Sequence, residues 1–415
     1  MNMASLTITV LLCITILIVP RRSILLFFIA GACLIPMDQR IDVIGLDFTT
    51  LRLCVFAGLL RLFIRGEMRP IQANGIDKLF IAWVIFGSVV YVLQWQTSDA
   101  MVNRSGYLFD GLGLYLLSRL ALRSWEDVVY AIKYFAFFAI ISAPFFIIER
   151  IQQRSPYSIL GHSVASFHRG RFRCSGPFSH YIIMGSFWVS VLPWFYACIM
   201  AGLSKAFYGV AIAAAILCVI LSGSSTPLMT GTYIVLLLFL YRYRHYGKQI
   251  AAGIAILLIG LHFVMKAPVW HLMARFSFFG GSTGWHRYHL FDQFVNRVPE
   301  WFLLGTRSTE HWGAGLEDVT NQYVLEGVRG GFITLCLFVA LNVMCAVTSW
   351  KAAVEYRNKK LSWLCWGVCV SILGHSLSFW GISYFGQIIM PLYLTFAMGA
   401  FVKERLDNQL MVNKL

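Results

Sequence analysis

Predominantly apolar stretches, each near the length that crosses a hydrocarbon layer, recur from Ser5 to Phe401. A transmembrane helix needs about 20 such residues. Charged residues make up 13% of the chain and hydrophobic residues 58%, whereas a soluble domain is roughly 25% charged. The chain therefore reads as an all-α polytopic membrane protein. Its first stretch, Met1–Pro20, has neither a basic leader nor a small-residue cleavage signal, which predicts a span there rather than a removed signal peptide.

Twelve to thirteen spans are expected, roughly Ser5–Pro20, Ser23–Met37, Leu51–Ile64, Leu79–Trp95, Tyr107–Leu122, Val128–Ile148, His180–Met200, Ala206–Leu221, Pro227–Tyr241, Ile250–Lys266, Tyr323–Trp350, Leu361–Trp380 and Ile382–Phe401. They divide the chain into N-terminal spans (1–148), a first polar loop (149–179), central spans (180–266), a large, partly helical loop (267–322), and C-terminal spans with a charged tail (323–415). Basic residues gather in alternate connections: Arg21/Arg22, Arg65/Arg69, Arg123, Lys205, Arg242/Arg244/Lys248, Lys351/Arg357/Lys359/Lys360 and Lys403/Arg405. The opposite short links carry little beyond Arg40 and Arg104. The positive-inside bias makes the basic set cytoplasmic and both long loops non-cytoplasmic. It also accounts for much of the net charge of +15, so nucleic acid is not an expected partner; the lipid bilayer is. The ten cysteines sit mostly within apolar spans and read as small buried hydrophobes. Cys174 alone lies in a long loop, with no evident disulfide partner. Cys365 and Cys369 lie one helical turn apart, but nothing completes a zinc site.

The longest polar interruption begins near Lys266 and centres on Thr283–Phe332. A loop of that length is usually functional or disordered, and its aromatic residues, Trp285, Tyr288, Trp301, Trp312 and Tyr323 among them, argue for order. It opens with His286, Arg287 and His289, continues through a Pro299–Gly305 segment that reads as an interfacial helix, and carries Arg307 and His311. It ends in Asp318, Asn321, Tyr323 and Glu326 at the start of the next span. Ionisable groups inside a span are costly and usually face a functional cavity. Gly327, Gly330 and Gly331 predict close helix approach.

The first loop carries Arg150, Arg154, Arg169, Arg171 and Arg173 against one acid, Glu149, and no lysine. Guanidinium groups suit bidentate phosphate recognition. Arg173 precedes a Gly176–Pro177 turn, and His180 opens an apolar helix whose N-terminal dipole favours an anion. Between two central spans lies the turn LSGSSTPLMTG, Leu221–Gly231. Its hydroxyls are expected to cap a helix.

These three stretches together resemble the bacterial O-antigen ligase and O-antigen polymerase superfamily, and look most like its exopolysaccharide-polymerising branch. The family's arginine ahead of a Gly-x-Phe turn is matched by Arg173, Gly176 and Phe178. Its turn between two spans is matched by Ser224–Pro227, and its arginine before an amphipathic helix by Arg287. The loop end Asn321-x-Tyr323 and the glycines Gly327, Gly330 and Gly331 after Glu326 follow the family order. The likeness covers roughly 165–340 and departs in two places: the arginine of the Ser-Arg turn is absent, and Thr320 stands where a histidine is expected. The resemblance implies a metal- and cofactor-independent glycosyltransferase of the bacterial inner membrane with periplasmic active loops. It implies an undecaprenyl-pyrophosphate-linked glycan as donor, a glycan acceptor, and other polysaccharide-assembly proteins as partners.

With a pyrophosphate leaving group, catalysis needs charge neutralisation above all. Arg287 and Arg173 are the expected clamp, and Arg169, Arg171, Arg307, His180, Asn321 and Tyr323 the expected substrate contacts. A general base would come from His286, His289, His311, Asp318 or Glu326. Polymerisation of surface-polysaccharide repeat units is the first expectation and ligation of the glycan to lipid A–core the second. A transporter would show paired broken spans or an internal repeat, and the sequence displays neither.

Overall fold

The computed structural model of the chain describes residues 1–43, 45–68, 70–162, 166–168, 170–275 and 283–412. Helices α1 (Met3–Ile18), α2 (Ile24–Leu34), α3 (Thr50–Ile64), α4 (Gly75–Trp95), α5 (Ser98–Ala121) and α6 (Trp125–Gln152) precede the first loop. Helices α7 (Tyr181–Met200), α8 (Lys205–Leu221), α9 (Ser225–Phe239) and α10 (Gly247–Val264) follow it. The large loop contains α11 (Leu272–Arg275), α12 (Thr283–Asn296) and α13 (Val298–Trp301), and α14 (Gln322–Glu355), α15 (Lys359–Ser378) and α16 (Ile389–Val412) complete the chain. Two short antiparallel hairpins sit in connections: β1 (Arg40–Val43) with β2 (Leu46–Thr49), and β3 (Ser166–His168) with β4 (Arg171–Arg173).

Each expected span coincides with a helix, with shifted ends. α5 starts at Ser98 rather than Tyr107, because the Thr97 side chain caps it by accepting from Ala100 N–H. Among the described residues, seven helical segments are long and apolar enough to cross a membrane, with Ser225–Val264 taken as one; α1 and α8 are shorter apolar helices. α2 and α3 fall short of that length at 11 and 15 residues, and α5 carries Asp99, Arg104, Asp110 and Arg119.

The centre is built by α7, α15 and α16, each mostly buried. Trp188 and Trp194 of α7 are fully enclosed. Gly367 lets α15 approach α7 so closely that a Cβ there would lie 2.7 Å from that of Ala197; small residues at such crossings let helix backbones pack. α10 is the opposite case. Residues 251–260 are exposed on every face. Its start packs on Trp350, near the far end of α14, and the segment after it reaches α12 through Trp270 and Asp292. A helical stretch that is apolar and exposed on every face, as 251–260 is, needs an apolar medium.

Near the end of the bundle away from the large loop, charges are paired. Arg119, 1% exposed, pairs with Asp77 and Glu404, Arg61 with Glu67, and Arg21 with Asp127. The same Asp77 and Asp127 complete capping boxes with Asn74 and Ser124 at the starts of α4 and α6, so one carboxylate sets both a helix end and an ion pair.

α14 is broken at Gly331, whose backbone is at φ 73°, ψ −175°. The N–H and C=O groups freed by the break are taken by the large loop: Phe332 N–H donates to Phe302 O (2.8 Å), and Thr306 N–H to Val328 O (2.8 Å). The approach is tight enough that a Cβ at Gly331 would overlap the Leu303 carbonyl and one at Gly305 that of Val328. Gly327 receives the rings of Phe294 and Trp301. The glycine run, expected to serve helix–helix packing, therefore admits the loop. Irregular backbone inside a membrane protein persists only where protein or a cavity satisfies it. Gly331→Ala should destabilise the fold by at least about 1–3 kcal/mol, from left-handed strain and overlap, read as a lower Tm of the detergent-purified protein. Gly253→Ala in α10, with nothing within 4 Å, should leave Tm unchanged or raise it slightly.

Candidate functional site

The turn between α8 and α9, Ser222–Thr226, gathers the two arginines singled out from the sequence. Arg287 extends from α12 and donates from Nη2 to Thr226 Oγ1 at 2.7 Å. Arg173, at the end of β4, lays its side chain against Gly223 and its guanidinium over the Tyr181 ring at 4.6 Å. Cys174 N–H donates to Leu221 O, which fixes β4 to the same turn. The turn's hydroxyls do less capping than expected. The Ser224 side chain makes no cap hydrogen bond, Ser222 Oγ accepts from Ser224 N–H and donates to Val219 O, and the Thr226 hydroxyl is engaged by Arg287.

Neither arginine has a carboxylate partner among the described residues. Arg287 is held below the ordinary guanidinium pKa by burial, which disfavours an unneutralised charge. Elsewhere in the fold arginines do take carboxylates: Arg52, at the start of α3, is bidentate with Asp110 at 2.8 and 2.5 Å. Two unpaired arginines on one turn therefore form a locus that an anion would complete.

The Gly176–Pro177 turn serves differently from the expectation. Its backbone donors are already occupied, with Ser175 and Gly176 N–H donating to the Glu149 carboxylate at 3.0 and 2.9 Å. His180 is the N-cap of α7, its Nδ1 accepting from Ile182 N–H at 3.2 Å. Arg169 lies outside the described residues. Arg171 pairs with His168 across the hairpin, and its side chain is not described.

The candidate bases are dispersed. His286, adjacent to Arg287, approaches Asp318 O at 3.3 Å. His289 packs on Gly313. His311 contacts Glu300 at 2.7 Å, and Glu300 also accepts from Trp312 Nε1 and Arg297. Those hydrogen bonds, led by that from Trp312, hold Glu300 down to about 2. Asn321 caps α14, accepting from Tyr323 and Val324 N–H, and Tyr323 donates to Ser376 O. Glu326 accepts from Trp83 Nε1 (2.8 Å) and Gln322 Nε2 (2.6 Å). It belongs to a second polar region, where Arg307 and Asp318 line one cavity and Glu326 a smaller one beside it.

Two arginines of that region, Arg104 and Arg329, escaped the sequence reading. Arg104 carried a signal: it is one of the few basic residues on the wrong side of the charge bias. No protein-family model matches the chain, and neither a curated protein nor a solved structure matches it.

Glu300 yields a signed pH prediction. A lowered carboxyl pKa contributes stability above the ordinary value near 4.5 that is lost as pH falls toward about 2. Hydrogen exchange over 298–312 should be faster in Glu300→Gln than in wild type at pH 7. The difference should shrink as pH drops from 4.5 toward 2.

Proposed function

We propose that this chain is a membrane glycosyltransferase that takes glycans from an undecaprenyl-pyrophosphate carrier and polymerises surface-polysaccharide repeat units on the non-cytoplasmic face of the bacterial inner membrane. One observation carries the reading: Arg173 and Arg287 come from two separate loops, meet the same α8–α9 turn, and have no carboxylate partner among the described residues. Structural arginines in this fold take carboxylates, as Arg119, Arg61 and Arg52 do. The order of motifs resembling the O-antigen ligase and polymerase superfamily supports the same reading.

In the proposed reaction an acceptor hydroxyl attacks the anomeric carbon. The bond to the lipid pyrophosphate breaks and the leaving pyrophosphate keeps the electron pair. Arg173 and Arg287 neutralise the charge that develops on it, in a setting where burial strengthens the interaction. Of the candidate bases, His286 is the one next to Arg287 in sequence and is taken here to accept the acceptor's proton. It precedes Arg287 on α12, and its Nε2 lies 3.3 Å from the backbone oxygen of Asp318. Ligation to lipid A–core is the alternative outcome of the same chemistry. Thr320, in place of a histidine before Asn321, favours polymerisation over it.

Purified protein should turn over an undecaprenyl-pyrophosphate repeat unit into longer lipid-linked glycan. Arg287→Ala and Arg173→Ala should each lower kcat by about 10²–10³ with the fold retained. Full turnover in both variants would remove the clamp. Transfer of single units to lipid A–core without elongation would make the chain a ligase.

A further inference from the structure

The second arginine group lies between α4, α5 and α14, under the large loop. Arg104 of α5 is 8% exposed, its guanidinium carbon 3.7 Å from the centre of the Tyr91 ring and 5.1 Å from that of Tyr107. Its Nε has no hydrogen-bond partner, and no carboxylate pairs with it among the described residues. An unsatisfied buried donor on a cation is expensive. It lines a cavity of about 40 Å³ together with Trp83, Tyr107, Glu326 and Arg329. Arg329 and Leu325 are shared with a larger cavity of about 300 Å³, lined by Tyr91, Trp95, Arg307, Glu317 and Asp318. Arg307 is held in place, donating from Nε to Gln94 O at 2.8 Å with its guanidinium over Trp95.

The mixture of groups is specific. A bare phosphate needs neither aromatic rings nor carboxylates around it. A neutral sugar needs no unpaired buried arginine. Arginines for an oxyanion, carboxylates to accept hydroxyls and Trp95 and Tyr91 rings to face a sugar ring together fit one ligand class, and the volume lies at the lower end of small-ligand pockets. Glu326 is oriented by Trp83 and Gln322 and makes no ion pair with Arg104 or Arg329 among the described residues, although its charge is felt by both.

We infer that these cavities form a subsite for a sugar bearing an oxyanion, a carboxylate or a phosphate ester, separate from the Arg173–Arg287 locus. As a subsite for one repeat-unit sugar, it rests on the glycosyltransferase reading above. α12 joins the two sites: Arg287 reaches Thr226, and its neighbour His286 reaches Asp318, which lines the larger cavity.

Binding of glucuronate, glucose 6-phosphate and glucose to the full chain in nanodiscs tests this directly. The two charged sugars should bind about tenfold or more tightly than glucose. Arg329→Gln, at an exposed position where folding is not at risk, should remove that advantage, as should Arg104→Gln. Arg287→Ala should preserve it. Equal binding of glucose, unchanged binding in both glutamine variants, or loss in Arg287→Ala would each overturn the subsite. So would loss of charged-sugar binding when phosphatidylglycerol replaces phosphatidylcholine in the nanodisc, which would mark a lipid headgroup as the occupant. Charged-sugar binding without donor turnover would sink the glycosyltransferase reading alone; donor turnover without charged-sugar binding would sink this subsite alone.

Discussion

The break of α14 at Gly331 and the docking of the large loop onto it hold the functional half of the molecule together. A helix interrupted inside an apolar bundle leaves backbone donors and acceptors that cost several kcal/mol each if unpaired. Here the loop supplies the partners, through Phe302 O and Thr306 N–H. That pins the segment following α13 against the first turns of α14, and the stacked Phe294 and Trp301 rings, 3.9 Å apart, fill the space above Gly327. α12, carrying Phe294, is thereby held at the angle that points Arg287 at the α8–α9 turn. The loop packs on α14 through a small separate core in which Leu290, Phe294, Trp301, Trp312 and Leu316 meet Val324 and Val328 of α14.

Charge is distributed with a consistent logic. Away from the loop, Arg119, Arg61 and Arg21 are neutralised by carboxylates, two of which, Asp77 and Asp127, also cap helices. Under the loop, Arg104, Arg173, Arg287, Arg307 and Arg329 take no carboxylate among the described residues; the first four rest on rings, a carbonyl or a hydroxyl, and Arg329 lines the cavities. Stacking and neutral hydrogen bonds orient a guanidinium without cancelling its charge. The two groups of arginines thus stay oriented and attractive to anions, and α12 lies between them.

Much of this was legible from the residues. Hydropathy located every long helix, because burial in lipid or in a packed bundle demands the same apolar composition. Arg173 stood out because its loop carries five arginines against one acid, and Arg287 because of the motif order that its loop shares with the family it resembles. The parts that stayed hidden are tertiary. Nothing in VRGGF separates a glycine that admits a neighbouring helix from one that breaks its own; the Gly331 conformation depends on where Leu303 lies. Arg329 has no signal of its own in the sequence; only the fold sets it and Arg104 around one cavity. The capping expected of the Ser224–Thr226 hydroxyls failed for the same reason, since α12 delivers a competing donor from some sixty residues away.

The central claim is that Arg173, Arg287 and the α8–α9 turn together seat a lipid pyrophosphate. The most direct measurement is an electron cryo-microscopy map of the protein in nanodiscs loaded with undecaprenyl pyrophosphate. The account predicts phosphate density at the Ser222–Thr226 turn, within hydrogen-bond reach of both guanidinium groups. Pyrophosphate density elsewhere, with Arg287 still bound to Thr226 and Arg173 still stacked on Tyr181, would contradict it.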